Sequence, residues 1–321
     1  MPVVSIIIPC YNVEKYIDTC IESVFNQNLS ESELEVIIVN DGSTDNSLLI
    51  IQQLVGNKCN VKILSQENKG LGGARNTGII NATGTYLLFL DADDLLLPNC
   101  LKKVLDIADL QDLDILEFSA QGVNESGSLV YNIANDSEVY SSGVEYYCKV
   151  RYMNSACNKI YKRDFLVAHH LLFLERIYIE DFEFNTRCLI NAKKIKATDV
   201  LIVQFLQSTN SITRNKDLTK KQKMIDDIFT VIKITDKQYK NHSTIIQKSF
   251  YLERLNFLVA SLFVQFIKNK VSYNEMNALK LKLEQNNILY INHRIFEVRK
   301  NILRIILLRN LWTYKLIKLF I

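Results

Sequence analysis

Beyond Gly143 the 321-residue chain contains neither glycine nor proline. All ten glycines lie between Gly42 and Gly143, and the three prolines are Pro2, Pro9 and Pro98. Turns that need a positive φ or a locked proline ring are therefore confined to the front of the chain. The rear, from about residue 217, is free to run as long helices. The seven cysteines are odd in number and include no C-x-x-C pair, which excludes a disulfide framework and a zinc ribbon and fits reduced thiols. The four histidines, His169, His170, His242 and His293, lack metal-ligand spacing. Lys plus Arg number 38 against 35 Asp plus Glu, a net charge of +3. That small excess gives no reason to expect a nucleic-acid partner. The longest apolar run, Phe257 to Val264, is far shorter than the ~20 residues a membrane span needs. The first residues enter an apolar strand with no basic leader, so no signal peptide is expected and the expected location is cytoplasmic.

What is present is an alternation of strands and helices over roughly the first two hundred residues. Val3 to Ile8 reads as a strand stopped by Pro9, and Val13 to Asn28 as a helix. Leu34 to Val39 is a second strand, followed by the turn Asn40-Asp41-Gly42-Ser43-Thr44-Asp45 and a helix through Leu54. Val61 to Leu64 is a third strand. A loop with Gly70, Gly72 and Gly73 then opens a helix from Ala74 to Asn81. Tyr86 to Leu90 is a fourth strand, ending in Asp91-Ala-Asp93-Asp94. Apolar strands separated by helices predict an α/β fold, a mostly parallel sheet with helices on both faces. Ligands of such sheets sit beyond the carboxyl ends of the strands.

The polar turns fall at those ends. Three carboxyls in four positions either cap a helix starting at Leu95 or hold a divalent cation of the Mg²⁺ or Mn²⁺ type, which takes oxygen ligands. Asp41-Gly42 is a favourable turn in any case. The Gly70 loop is either flexible or places a helix N-terminus against a phosphate, with Arg75 offering a planar fork. Lys159 and Arg163 read as a solvated basic face or as site residues. Glu180-Asp181 reads as a helix N-terminal pair or as a pair whose mutual repulsion tunes one member for proton transfer.

Four segments occur in an order and spacing that resemble the family 2 glycosyltransferases. They are Val4-Ser-Ile-Ile-Ile-Pro9-Cys-Tyr11-Asn12, Val39-Asn-Asp41-Gly-Ser-Thr-Asp45, Asn68-Lys-Gly-Leu-Gly-Gly-Ala-Arg75-Asn76 and Phe89-Leu-Asp91-Ala-Asp93-Asp94. The resemblance implies the GT-A fold over residues 1–216, a Rossmann-like arrangement, followed by an α-helical region over 217–321. It implies a nucleotide-sugar donor, most often UDP-linked, bound by Pro9, Tyr11, Asp41, Asn68, Arg75 and Asp91. It implies a divalent metal, Mn²⁺ or Mg²⁺, on Asp93. Asn154 to Arg163 and Ile177-Tyr-Ile-Glu180-Asp181 extend the likeness, with Asp181 as the general base of an inverting transfer. Asn158, Lys159, Glu180 and Arg214 become candidate sugar or acceptor contacts. The implied acceptor is a hydroxyl of a glycan or of a lipid-linked saccharide. A sugar nucleotidyltransferase and a non-catalytic subunit of a polysaccharide-assembly complex are the alternative classes.

The rear lies outside the resemblance. Met224, Ile225, Ile228, Phe229 and Ile232 fit one amphipathic helix, and Phe250 to Leu262 a second, more buried one. From Arg299 to Ile321 there are six basic residues and no acid. Drawn as one helix, Lys300, Arg304, Lys315 and Lys318 form a stripe among apolar residues. That stripe suits either the inner face of the plasma membrane or a packed contact with the core or a second copy.

Overall fold

The computed structural model describes residues 2–150, 153–208, 217–242 and 244–317. Arg214, Lys318 and Phe320 lie outside the described residues. The chain divides into two compact units, residues 1–215 and 216–321.

The first unit begins β1 (Val4–Cys10), α1 (Ile17–Phe25), β2 (Leu34–Asn40), α2 (Ser47–Val55), β3 (Val61–Ser65), α3 (Gly70–Asn81) and β4 (Tyr86–Phe89). It continues β5 (Leu95–Leu96), α4 (Leu101–Leu110), β6 (Ile115–Val123), β7 (Leu129–Ile133) and α5 (Gly143–Lys149). It closes with β8 (Lys159–Lys162), α6 (Arg163–Ala168), α7 (Glu180–Asn191) and β9 (Ile195–Leu206). One mixed sheet runs β3-β2-β1-β4-β8-β6-β9-β5, with β7 paired to β6. The first four of these strands are parallel. The short β8 is antiparallel to both its neighbours, and β9 returns parallel to β6. Every residue of β1, β2 and β4 is buried, which is why these strands read as unbroken apolar runs rather than alternating ones.

Pro9 does not stop β1 as expected; the strand runs through it to Cys10, opposite Val39 and Asn40 of β2. The physical reason is the side on which its missing N–H falls. The Val3 and Ile7 carbonyls accept from Tyr86 and Leu90 N–H on the β4 side, whereas the Val4 N–H and the Cys10 carbonyl bond on the β2 side. Pro9 shares the phase of Ile7, and the bond from Leu90 N–H to Ile7 O is the last rung there. Proline thus sits where β4 has already ended and no donor is needed.

No helix starts at Leu95. Leu95 and Leu96 form a two-residue strand antiparallel to β9, opposite Gln204 and Val203. Asp94 is therefore not a helix cap: it is buried and its Oδ1 accepts the Leu206 N–H at 2.8 Å. The predicted helix at Ala74 begins four residues earlier, so Gly70, Gly72 and Gly73 lie inside α3. Gly70 has φ +76°, and a Cβ on Gly72 would lie 2.2 Å from Leu174 O. The Asn76 side chain donates to Phe173 O at 2.9 Å and accepts from Phe173 N–H at 2.7 Å. The glycines let the segment Phe173–Arg176 cross against the start of α3, which is a packing role rather than a flexible loop.

The second unit is helical: α8 (Leu218–Asn241), α9 (Ile245–Lys268), α10 (Tyr273–Gln285), α11 (Val298–Arg309) and α12 (Thr313–Ile317). Asp217 caps α8, accepting from Thr219 and Lys220 N–H, and Ser272 with Glu275 forms a capping box on α10. By length and composition α9 could cross a membrane, although its longest uninterrupted apolar run is short; 67% of its apolar window is buried within the protein. Its buried face includes Glu253, Arg254 and Asn256, as in a core helix.

The basic stripe expected on a single C-terminal helix does not form. The helix breaks after Arg309, and α12 starts only at Thr313. Arg304 is fully buried and donates to Asn256 Oδ1 at 2.8 Å, Asn301 Oδ1 at 3.1 Å and His293 O. Lys300 pairs with Glu297 at 2.8 Å and covers the Phe257 ring.

Candidate active site

The carboxyl ends of β1, β2 and β4 are stitched together by their turns. Asn12, at φ +54°, donates its N–H to Ser43 Oγ at 3.2 Å and accepts from Thr44 N–H at 2.8 Å. Val13 N–H donates to Ser47 Oγ at 2.8 Å and Glu14 N–H to Asp45 Oδ2 at 3.1 Å. The polar run Asn40 to Asp45 is thus a clamp between two strand ends as well as a turn. Tyr11 beside it is 51% exposed, a large ring presented to solvent at this end of β1. Asp41 is buried. Its Oδ1 accepts from Gln66 Nε2 at 2.7 Å and Lys69 N–H at 2.8 Å. Asn68, which is exposed, donates to Asp41 O at 2.9 Å.

Arg75 is the hub of the site. Its guanidinium is buried; Nη1 donates to Glu180 Oε1 at 2.9 Å and to Asp181 Oδ1 at 2.5 Å. Nη2 donates to Asp91 Oδ1 at 2.8 Å and contacts Cys157 Sγ at 3.5 Å. The Phe173 ring lies 5.2 Å from the guanidinium carbon. Burial would lower the arginine pKa, but the charges of Asp181, Asp91 and Glu180 hold it well above its ordinary value. Both terminal nitrogens are thus committed to the protein's own acids, which leaves no face for the phosphate contact expected of Arg75. It joins a strand-end acid to a helix-start pair more than a hundred residues away.

Asp181 sits in the first turn of α7, as the helix N-terminal reading expects. Its Oδ2 accepts the Ala156 N–H at 3.0 Å, and the side chain is 25% exposed. Glu180 is buried, and burial, with the neighbouring Asp181 charge, pushes its carboxyl up to about 8. Burial likewise pushes Asp94 well above the carboxylate range, reinforced by Asp93 and Asp91. Asp91 and Asp93 are half-buried.

Of the two readings of Lys159, the solvated basic face does not hold. Lys159 is fully buried, its Nζ donating to Met153 O, Ser155 O and Asn158 Oδ1, each at 2.7 Å. Glu117, buried on β6, faces it at 3.5 Å and accepts from Tyr146 Oη and Met153 N–H. Burial raises Glu117 and lowers Lys159, each opposed by the other's charge. Asn158 is buried too, donating to Phe118 O. Rather than reaching toward a sugar, Lys159 and Asn158 tie down the chain whose Ala156 N–H holds Asp181. Glu117 was missed; a lone acid inside the run Ile115-Leu-Glu-Phe-Ser-Ala was the available signal. Arg163 alone of the basic pair is partly exposed, its Nε donating to Ala82 O.

Among the described residues no three His, Cys, Asp or Glu side chains converge to cage a metal. The turn nevertheless suits a hard divalent cation. Its donors are all carboxylate oxygens, and Asp91 and Asp181 are both paired to one cation, Arg75. Ions of the Mg²⁺ type are held by one or two carboxylates completed by substrate phosphates. Asp93, with Asp91 as neighbour, is the residue that fits.

Comparison with known proteins agrees with this arrangement. The family described as Glycosyl transferase family 2 matches residues 5–167. The chain is 31% identical over 220 residues to a Bacillus subtilis protein named uncharacterized glycosyltransferase EpsJ, covering 66% of this chain but 63% of that one. The crystal structure of S. aureus TarS 1-349 in complex with UDP-GlcNAc has a TM-score of 0.63 at 20% identity, covering 98% of this chain and 92% of that one. A Pyrobaculum calidifontis mannosyltransferase in complex with GDP-Man and Mn²⁺ has a TM-score of 0.55 at 16% identity, covering 97% and 87%. The fold is thus the GT-A fold with a helical C-terminal region. Four strand-end motifs, the sheet they terminate and the family match over half the chain agree: this protein belongs to glycosyl transferase family 2.

Proposed function

We propose that the chain is an inverting, metal-dependent glycosyltransferase that moves a sugar from a nucleotide donor, UDP-linked, to a hydroxyl of a glycan or lipid-linked saccharide. The observation that carries this reading is the convergence of Asp91, Glu180 and Asp181 on Arg75 at the carboxyl ends of the sheet. Uridine is supported by the TarS complex with UDP-GlcNAc, although the mannosyltransferase neighbour binds GDP-Man. The inner face of the plasma membrane is the place of action that suits a lipid-linked acceptor.

Tyr11, exposed beside Asn12, is placed to cover the base, and the Asp41 turn with Asn68 to border the ribose. Asp91 borders the donor from the opposite strand end. Asp93 is the residue to hold Mn²⁺ or Mg²⁺, which when bound supplies charge neutralisation to a diphosphate. Asp181 takes the proton from the acceptor hydroxyl as its oxygen attacks the anomeric carbon from the face opposite the diphosphate. Back-side attack turns an α-linked donor into a β-linked product. Arg75 and the Ala156 N–H fix the two oxygens of Asp181, so the base is held before the acceptor arrives. Burial and the adjacent Asp181 charge favour a protonated Glu180.

The test is Asp181→Asn, assayed with the donor and acceptor found by screening nucleotide sugars against glycan acceptors. Transfer should fall by ~10²–10⁴-fold, the span general-base catalysis supplies, with donor affinity nearly intact. A near-normal transfer rate would remove Asp181 from the role of base. Asp93→Ala should weaken nucleotide-diphosphate binding in Mn²⁺; unchanged affinity would remove the metal from Asp93.

A further inference from the structure

Helix α11 turns an asparagine and an arginine inward beside two leucines. Its buried residues are Asn301, Arg304, Leu307 and Leu308. Facing outward are Val298, Ile302 and Ile306, exposed by 66%, 53% and 42%. With ~100° per residue, these three span an arc of about 80° on one side of the helix. Arg309 falls inside that arc and Arg299 at its edge, both exposed. Neither is in an ion pair among the described residues, and α11 contains no acid. Phe296 before the helix and Trp312 and Leu316 after it are exposed as well.

A water-facing helix ordinarily shows the reverse arrangement, with charge outside and aliphatic residues inside. Here the isoleucines that the unit could have buried are left outside, while an arginine and an asparagine occupy the interior. We propose that the outward face of α11 lies on an anionic membrane surface. The aliphatic row suits the acyl boundary, and the two unpaired arginines suit lipid phosphates. A second copy of the chain is a poorer occupant: two-fold packing of this face would set arginines together with no carboxylate to answer them. This face differs from the stripe of Lys300, Arg304, Lys315 and Lys318 drawn from sequence, which the burial of Arg304 and the break after Arg309 dissolve. The inference is independent of the reaction proposed above.

The experiment is co-sedimentation of the full chain with vesicles of phosphatidylcholine alone and with vesicles mixing in phosphatidylglycerol. Binding should be at least about tenfold tighter to the anionic vesicles and should weaken as salt is added. Ile302→Gln/Ile306→Gln should lower that binding about tenfold. Arg299→Gln/Arg309→Gln should abolish the preference for anionic lipid and its salt dependence. Both pairs alter exposed positions, so the melting temperature should hold. Failure of the unaltered chain to bind either vesicle, or equal binding by the Ile302→Gln/Ile306→Gln chain, overturns the proposal. A concentration-dependent dimer in sedimentation equilibrium, dissolved by the same pair, assigns the face to a second copy and overturns it too.

Discussion

Two of the buried arginines, Arg75 in the first unit and Arg304 in the second, have surroundings that differ in kind. Arg75 is ringed by carboxylates, Asp91, Glu180 and Asp181, all reached through terminal nitrogens. Arg304 is ringed by neutral oxygens, from Asn256, Asn301, Tyr290 and His293. The acids hold the Arg75 pKa far above its ordinary value, whereas burial alone pulls Arg304 down. Both guanidinium groups leave Nε without a partner. A buried arginine in neutral company ties loops to a helix and can be explained by hydrogen bonding alone. One surrounded by an excess of acid, two of the three reaching solvent, holds charge in place for something outside the protein.

The contrast breaks most visibly at Arg75. Arg75→Met strands three carboxylates and should cost ~3–5 kcal/mol, read from urea unfolding, with loss of transfer. Arg75→Lys should recover little, because a single ammonium cannot serve both the Asp91 side and the α7 side. A mild loss with intact transfer would mean the acids do not depend on their hub. Next in size is a pH effect from Glu180, whose carboxyl is raised to about 8. Between its unfolded pKa near 4.5 and that raised value, the folded state binds one more proton than the unfolded state. Stability therefore falls as pH rises from 5 to 8, by on the order of 3 kcal/mol at this site. Comparing the melting temperature of Glu180→Gln with the parent across that range isolates the effect: the variant should show a flatter profile. Equal slopes would place the titration elsewhere. Arg304→Met should be the smallest disturbance, about 2 kcal/mol from acceptors left unpaired, with transfer unchanged. Loss of transfer in that variant would erase the distinction between the two arginines.

The strands and the positions of their acidic turns were legible in sequence because both signals are local. Apolar runs mark buried strands, and Asn-Asp-Gly or Asp-Ala-Asp marks where they end. What joins those ends was not. Arg75 bonds to residues at 91, 180 and 181, Glu117 to Lys159, and Asp94 to Leu206. Periodicity has no reach over such separations, so it shows neither the acids that hold Arg75 nor the buried partners of Lys159. Asp94 misled for a related reason: acid followed by Leu-Leu is equally good as a cap or as a turn into a strand, and only pairing with β9 decides. In the tail, no glycine or proline marks the break after Arg309, so a single stripe was drawn across two helices.

The place of β8 in the sheet has a consequence for how the chain comes to be made. It lies between β4 and β6, yet it follows both in sequence. Until β8 emerges from the ribosome, the backbone of β4 has only β1 beside it, and β6 meets its parallel neighbour β9 later still. Most of the first unit therefore exists for a time as a half-built sheet with an open apolar flank. Such a chain needs either fast completion or a chaperone at its side while it waits.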